Sequence, residues 1–190
     1  MTIEFLPQTT FDVIYIDPPW DYYGSGTKMG AAAKEYDLMS DAELLAFEDP
    51  AKLLSKNGVL FMWATNPRLD FAFKLLEAWR LHYRGIAFVW VKTRKDGQPI
   101  GAQGVRPSII KPTTEFVLAA SKVARGRPMP LGSEKVRQVV LAPRREHSRK
   151  PDEVVQRIEE LYPEARKLEM FARESRPGWV SWGNEATKFD

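Results

Sequence analysis

Short apolar runs alternate with helix-patterned segments along the chain. That alternation predicts an α/β domain with a mainly parallel sheet, because parallel neighbours need a crossover, usually helical, between them. Val13-Ile14-Tyr15-Ile16 reads as the first buried strand, stopped by Asp17-Pro18-Pro19. Ser40-Asp41-Ala42-Glu43 is a capping-box pattern opening a helix with Leu44, Leu45 and Phe47. Asp49-Pro50 restarts that helix, and Asn57-Gly58 is expected to end it. Further strands are expected at 59–63, 86–91, 116–120, 138–141, 167–171 and 179–182. Asn66-Pro67 opens a helix with Phe71, Leu75, Leu76 and Trp79 on one face. Pro151-Asp152-Glu153 opens another, with Val154, Val155, Ile158 and Leu161 inward. Residues 21–37, 93–112 and 122–135 are rich in Gly, Pro, Lys or Arg and read as long functional loops.

At 190 residues the chain is expected to form a single domain over 1–190. It contains no cysteine, which excludes disulfides, thiolate metal sites and cysteine nucleophiles. Two histidines, His82 and His147, are too few for a His-rich cage, and no metal is expected. No apolar run approaches the roughly 20 residues that span a bilayer. The first residues also lack the basic start and apolar core of a secretory signal, so a cytoplasmic protein without membrane contact is expected. The net charge is only +3, but Arg125, Arg127, Lys135, Arg137, Arg144, Arg145, Arg149 and Lys150 fall in one stretch. Such a cluster either attracts phosphate backbones or forms an ordinary solvated rim.

The chemistry concentrates in Asp17-Pro18-Pro19-Trp20, at the carboxyl end of the first expected strand. Ligands of open α/β sheets bind outside that edge. An aromatic exocyclic amine is a poor nucleophile, since its lone pair is delocalised into the ring. Two acceptors, one per N–H, hold such an amine and favour a more tetrahedral nitrogen with its lone pair free. Asp17 supplies a carboxylate and Pro18 a backbone carbonyl stiffened by neighbouring prolines. Trp20, or Tyr22, Tyr23 or Tyr36 in a lid over the site, offers a surface for stacking a base. The arrangement suits methyl transfer to a nucleobase amino group; the plain alternative is a proline-stiffened turn with a packed Trp.

These residues resemble a known family. Asp17-Pro18-Pro19-Trp20 matches the [DNS]-P-P-[WYF] signature of amino-group methyltransferases that use S-adenosylmethionine, in the form found with adenine N6. The chain is similar to the MT-A-seventy family from about Phe11 to Glu185. The resemblance includes Leu38-Met39-Ser40-Asp41, Leu60 to Thr65, Trp90-Val91-Lys92-Thr93, Ser148 to Glu153, Lys167 to Arg173, and Trp179 through Gly183-Asn184. It implies a Rossmann-like methyltransferase sheet in the circularly permuted, β-type motif order, with the catalytic motif ahead of the cofactor strand. It implies S-adenosyl-L-methionine as cofactor and a direct in-line transfer without a covalent enzyme intermediate. Lys150 matches the lysine for the cofactor's methionine carboxylate, and Glu169 the acid for its ribose hydroxyls. Arg173 and Asn184 match further contacts around ribose and adenine, Glu185 stands where the family has an amide, and the resemblance implies that Asp17 also touches the methionine amino group. Arg149 replaces a His of the eukaryotic enzyme, and Ser175-Arg176 replaces a polar pair.

Taken together, these features predict an adenine-N6 methyltransferase acting on nucleic acid, DNA modestly ahead of RNA. Arg144, Arg145 and Arg149 are expected to contact phosphates. His147 is expected to be a loop contact rather than a base. A homodimer or a partner subunit is compatible with the sequence. Two other readings compete: a non-catalytic nucleic-acid-binding partner of an active methyltransferase, and a cytosine-N4 methyltransferase.

Overall fold

The computed structural model describes residues 9–20, 38–47, 49–101, 109–145 and 149–190. In chain order they form β1 (Phe11–Ile16), α1 (Asp41–Ala46), α2 (Asp49–Leu53), β2 (Leu54–Thr65), α3 (Leu69–Ala78), β3 (His82–Thr93), β4 (Thr114–Ser121), β5 (Val139–Pro143), α4 (Asp152–Leu161), β6 (Lys167–Met170) and β7 (Trp179–Trp182). A single 3-10 turn, Asn66–Arg68, leads into α3. The strands make one seven-stranded sheet in the order β5-β3-β4-β2-β1-β6-β7.

Alternation along β1 builds two cores. Ile14 and Ile16 face one side, with Leu60, Met62 and Leu118, where α3 lays down Phe71, Ala72, Leu75 and Leu76. Val13 and Tyr15 face the other, with Phe61, Trp63 and Val117, where α4 lays down Val154, Val155 and Ile158. A strand covered on both faces needs apolar residues at every position, which is why β1 reads as a continuous run. Trp63 Nε1 donates to the Tyr15 hydroxyl at 2.5 Å inside the second core.

The sheet is mixed, which corrects the mainly parallel expectation in one strand. Pairings β1–β2, β1–β6, β6–β7 and β3–β5 are parallel, while β4 runs antiparallel to both β2 and β3. The reversal brings the amino end of β4 beside the carboxyl ends of its neighbours: Glu115 is paired with Thr65 and with Trp90. One edge of the sheet therefore collects side chains from both kinds of strand end.

The helix expected to end at Asn57-Gly58 stops at Leu53, and those two residues lie inside β2. Phe11 pairs with Leu54 but Val13 pairs with Val59, so an irregular stretch of β2 absorbs the excess residues. A Cβ on Gly58 would meet the Leu54 side chain at 2.7 Å and the Asp12 carbonyl at 3.1 Å, so glycine serves close approach there and not a helix end. The capping box is formed as expected: the Ser40 hydroxyl accepts from the Glu43 N–H at 3.3 Å, and the Glu43 carboxylate accepts from the Ser40 N–H at 2.8 Å. Among the described residues no helix is long and apolar enough to cross a membrane.

Candidate active site

Asp17 follows β1 directly, at the carboxyl edge. Lys150 comes just before Pro151, the N-cap of α4. Its ammonium group is 2.8 Å from Asp17 Oδ2 and 3.5 Å from Glu115 Oε2, and it lies 5.3 Å from the centroid of the Trp63 ring. Lys92 Nζ donates to the other oxygen of Glu115 at 2.6 Å. The result is a row of alternating charges, Asp17, Lys150, Glu115 and Lys92, drawn from four separate segments. The Lys150, Glu115 and Lys92 side chains are mostly buried, at 13%, 13% and 18% exposure, while Asp17 is more open at 25%.

The two acids respond differently to this row. Burial pushes Glu115 up, but Lys150 and Lys92 outweigh it and hold its carboxyl below the ordinary range. Burial also pushes Asp17 up, and there the single lysine does not cancel the effect, while the Glu115 charge adds to it. Asp17 is thus the more basic carboxylate of the pair and the better hydrogen-bond acceptor.

The proline turn is held by backbone bonds. The Pro18 carbonyl accepts from the Trp20 N–H at 2.8 Å, and the Pro19 carbonyl from the Met39 N–H at 3.0 Å. A carbonyl oxygen has two lone pairs, so Pro18 retains one for a further donor.

A second cluster lies beside the first, at the head of α4. Glu169, on β6 opposite Tyr15, accepts from Arg176 Nε at 3.0 Å. With only 12% of its side chain exposed, it is not a surface strand residue. Burial, only partly offset by Arg176, pushes its carboxyl up to about 7. Arg176 also reaches Glu174 and, at 3.5 Å, Asp152 Oδ1. Arg173 Nε donates to Glu185 Oε2 at 3.1 Å, and Asn184 is exposed. A Cβ on Gly183 would come within 2.8 Å of the Ala172 nitrogen and 2.9 Å of its carbonyl oxygen, so the backbones after β6 and β7 pack against each other with no room for a side chain.

The MT-A70 family matches residues 11–185. The chain belongs to that family. It is 34% identical over 199 residues to the type II methyltransferase M.MunI of a Mycoplasma species, covering 95% of this chain and 79% of that protein. It is 33% identical to an Arabidopsis thaliana N(6)-adenosine-methyltransferase MT-A70-like protein, over 93% of this chain and 24% of the relative. It is 30% identical to the human N(6)-adenine-specific methyltransferase METTL4, over 95% of this chain and 38% of the relative. The chain thus spans well under half of these two eukaryotic members.

Within this MT-A70 chain the structure gathers Asp17 and Lys150 into one contact, joins Glu169 to Arg176, and pairs Arg173 with Glu185. Three expectations need correction. Trp20 does not offer a free stacking face: it is 3% exposed and packs edge-on to Phe71 at 6.2 Å, with Arg68 5.7 Å from its ring centroid. Its backbone bridges Met39, so the aromatic anchors the turn in the core. Arg145 is already paired, since its guanidinium forks onto Asp152 at 2.7 and 2.9 Å and also donates to the Lys150 carbonyl. Arg149 is likewise engaged, with Glu174 at 3.1 Å and the Phe189 ring at 4.9 Å. Arg144 is exposed. Tyr22, Tyr23, Tyr36 and His147 lie outside the described residues.

Sequence reasoning missed Glu115 as part of the site, noted Arg176 only as one of a replaced polar pair, and gave Lys92 no role. Lys92 sits in the Trp90-Val91-Lys92-Thr93 stretch that carried the resemblance, so a signal for it was present. Glu115 gave none: an acid at the start of a strand reaches this edge only because β4 is reversed.

Proposed function

We propose that this chain methylates N6 of adenine in nucleic acid, using S-adenosyl-L-methionine, with DNA modestly ahead of RNA. The observation that carries the proposal is the Asp17–Lys150 contact: a carboxylate made more basic by burial, at a strand end, touching a cation at the head of a helix. In the reaction Asp17 accepts one N–H of the target amine, and the free lone pair of the Pro18 carbonyl accepts the other. Both acceptors are fixed in advance by the proline turn, so little reorganisation accompanies transfer.

The residues present fit the cofactor. Lys150 and the first N–H groups of α4 suit its carboxylate. Glu169 suits a pair of ribose hydroxyls, and we assign Arg173, Asn184 and Glu185 to the ribose and adenine. When bound, the group supplies a methyl carried on a positively charged sulfur. Trp63 lies against the Lys150 ammonium group from the core side.

Arg144 is the residue we assign to phosphate contact, while Arg145 and Arg149 hold the loop around it. The target base is extruded or already unpaired to reach Asp17, at a cost of a few kcal/mol from duplex. The experiment is nucleoside mass spectrometry after incubation with labelled cofactor and matched single- and double-stranded DNA and RNA. N6-methyladenine, highest in single-stranded DNA, is expected. Product confined to RNA overturns the DNA preference, and N4-methylcytosine overturns the choice of base.

A further inference from the structure

The segment from Glu185 to Asp190 folds back over the stretch that follows β6. Glu185 accepts from Arg173 Nε at 3.1 Å, and the Phe189 N–H donates to the Arg173 carbonyl at 3.0 Å. The Asp190 carboxylate accepts from the Ser175 N–H at 2.7 Å and from the Ser175 hydroxyl at 2.6 Å. Between these ties lies the half-buried Phe189 ring. The Arg173 guanidinium carbon is 4.7 Å from its centroid and that of Arg149 is 4.9 Å away.

Both distances are within the range at which the negative face of an aromatic ring attracts a cation. The two arginines come from different parts of the chain. Arg173 follows β6, the cofactor side of the site, whereas Arg149 adjoins Lys150 in the loop before α4. One ring therefore joins the two loops that carry the cofactor residues.

We infer that Phe189 is a positioning residue, whose ring fixes Arg149 and Arg173 and thereby the spacing of the Lys150 and Arg173 walls. This inference rests on the cofactor reading above. Loss of the ring takes the aromatic face away from two like charges, and the walls spread. Leu at this position fills space but has no quadrupole, whereas Trp restores it.

The test joins two readouts on wild type and on the Phe189→Ala, Phe189→Leu and Phe189→Trp variants. Calorimetry follows S-adenosylhomocysteine binding, and proton–nitrogen spectra follow the Nε–H signals of Arg149 and Arg173, which the ring shifts. The dissociation constant is expected to rise about tenfold in the Ala and Leu variants and to stay within twofold in Trp, with the ring-shifted signals lost in Ala and Leu. Ala binding as tightly as wild type overturns the inference while leaving the cofactor reading intact, and so does Leu binding that matches Trp. Wild type that does not bind S-adenosylhomocysteine overturns the cofactor reading and the inference with it. Should Phe189→Ala fail to fold, Ser175→Ala loosens the same segment from its far end. It is expected to weaken binding by a few-fold with the fold retained, and unchanged binding overturns the inference.

Discussion

Lys150 places its ammonium group 2.8 Å from one oxygen of Asp17, the acid that ends the first strand. That contact opposes the burial that raises Asp17, and the Glu115 charge reinforces burial. The sign of each neighbour's effect on the reaction follows. Asp17 is a much stronger acceptor for the amine when ionised, so the rate falls as pH drops through its raised pKa. The acid limb of the single-turnover rate, at saturating cofactor, is expected above the ordinary carboxylate range. Lys150→Ala moves that limb further up, and Glu115→Gln moves it down. A limb in the ordinary range, unmoved by either variant, contradicts this electrostatic picture.

Glu169 leads to a proton-linkage prediction. Its carboxyl is pushed up to about 7 mainly by burial. Ribose hydroxyls donating to it favour the ionised form. Binding of S-adenosylhomocysteine just below neutral pH is therefore expected to release protons, seen by calorimetry in two buffers of different ionisation enthalpy. Glu169→Gln removes the release. Proton uptake in the wild type runs against the assigned role.

Arg144 and Arg145 are neighbours in sequence with different expected behaviour. Arg144→Ala is expected to lower the log–log salt slope of nucleic-acid binding by about one. Arg145→Ala breaks the fork onto Asp152 and is expected to loosen the head of α4, lowering thermal stability. Equal salt slopes for Arg144→Ala and wild type remove Arg144 from the phosphate path.

Trp20 separates core from substrate. Trp20→Ala is expected to destabilise the fold by about 3–5 kcal/mol, the range for emptying a buried large aromatic site. Denaturant unfolding measures this. A stability change below about 1 kcal/mol, with substrate affinity lost, returns Trp20 to base stacking.

Local features of the sequence were the legible ones. Ser40 and Glu43 are three residues apart and form their box wherever the helix lies; Phe71, Leu75, Leu76 and Trp79 mark a buried face by spacing alone. Asp17 was legible as a candidate from its place at a strand end, and Lys150 from the family resemblance, with which its place at a helix start agrees. Their contact was not legible, for it depends on which strands neighbour which. Glu115 and the bond from Arg176 to Glu169 were hidden for a related reason, since β4's direction and the salt links around Glu169 are tertiary facts. Asn57-Gly58 misled because a helix end and a strand irregularity use the same two residue types.

The most direct measurement of the central claim is the single-turnover rate of N6-methyladenine formation by Asp17→Ala, on single-stranded DNA with cofactor saturating and the fold verified. A drop of roughly 100-fold or more is expected, the scale of losing one preorganised electrostatic contact. A rate within a few-fold of wild type contradicts the claim that the Asp17 carboxylate holds the reacting amine.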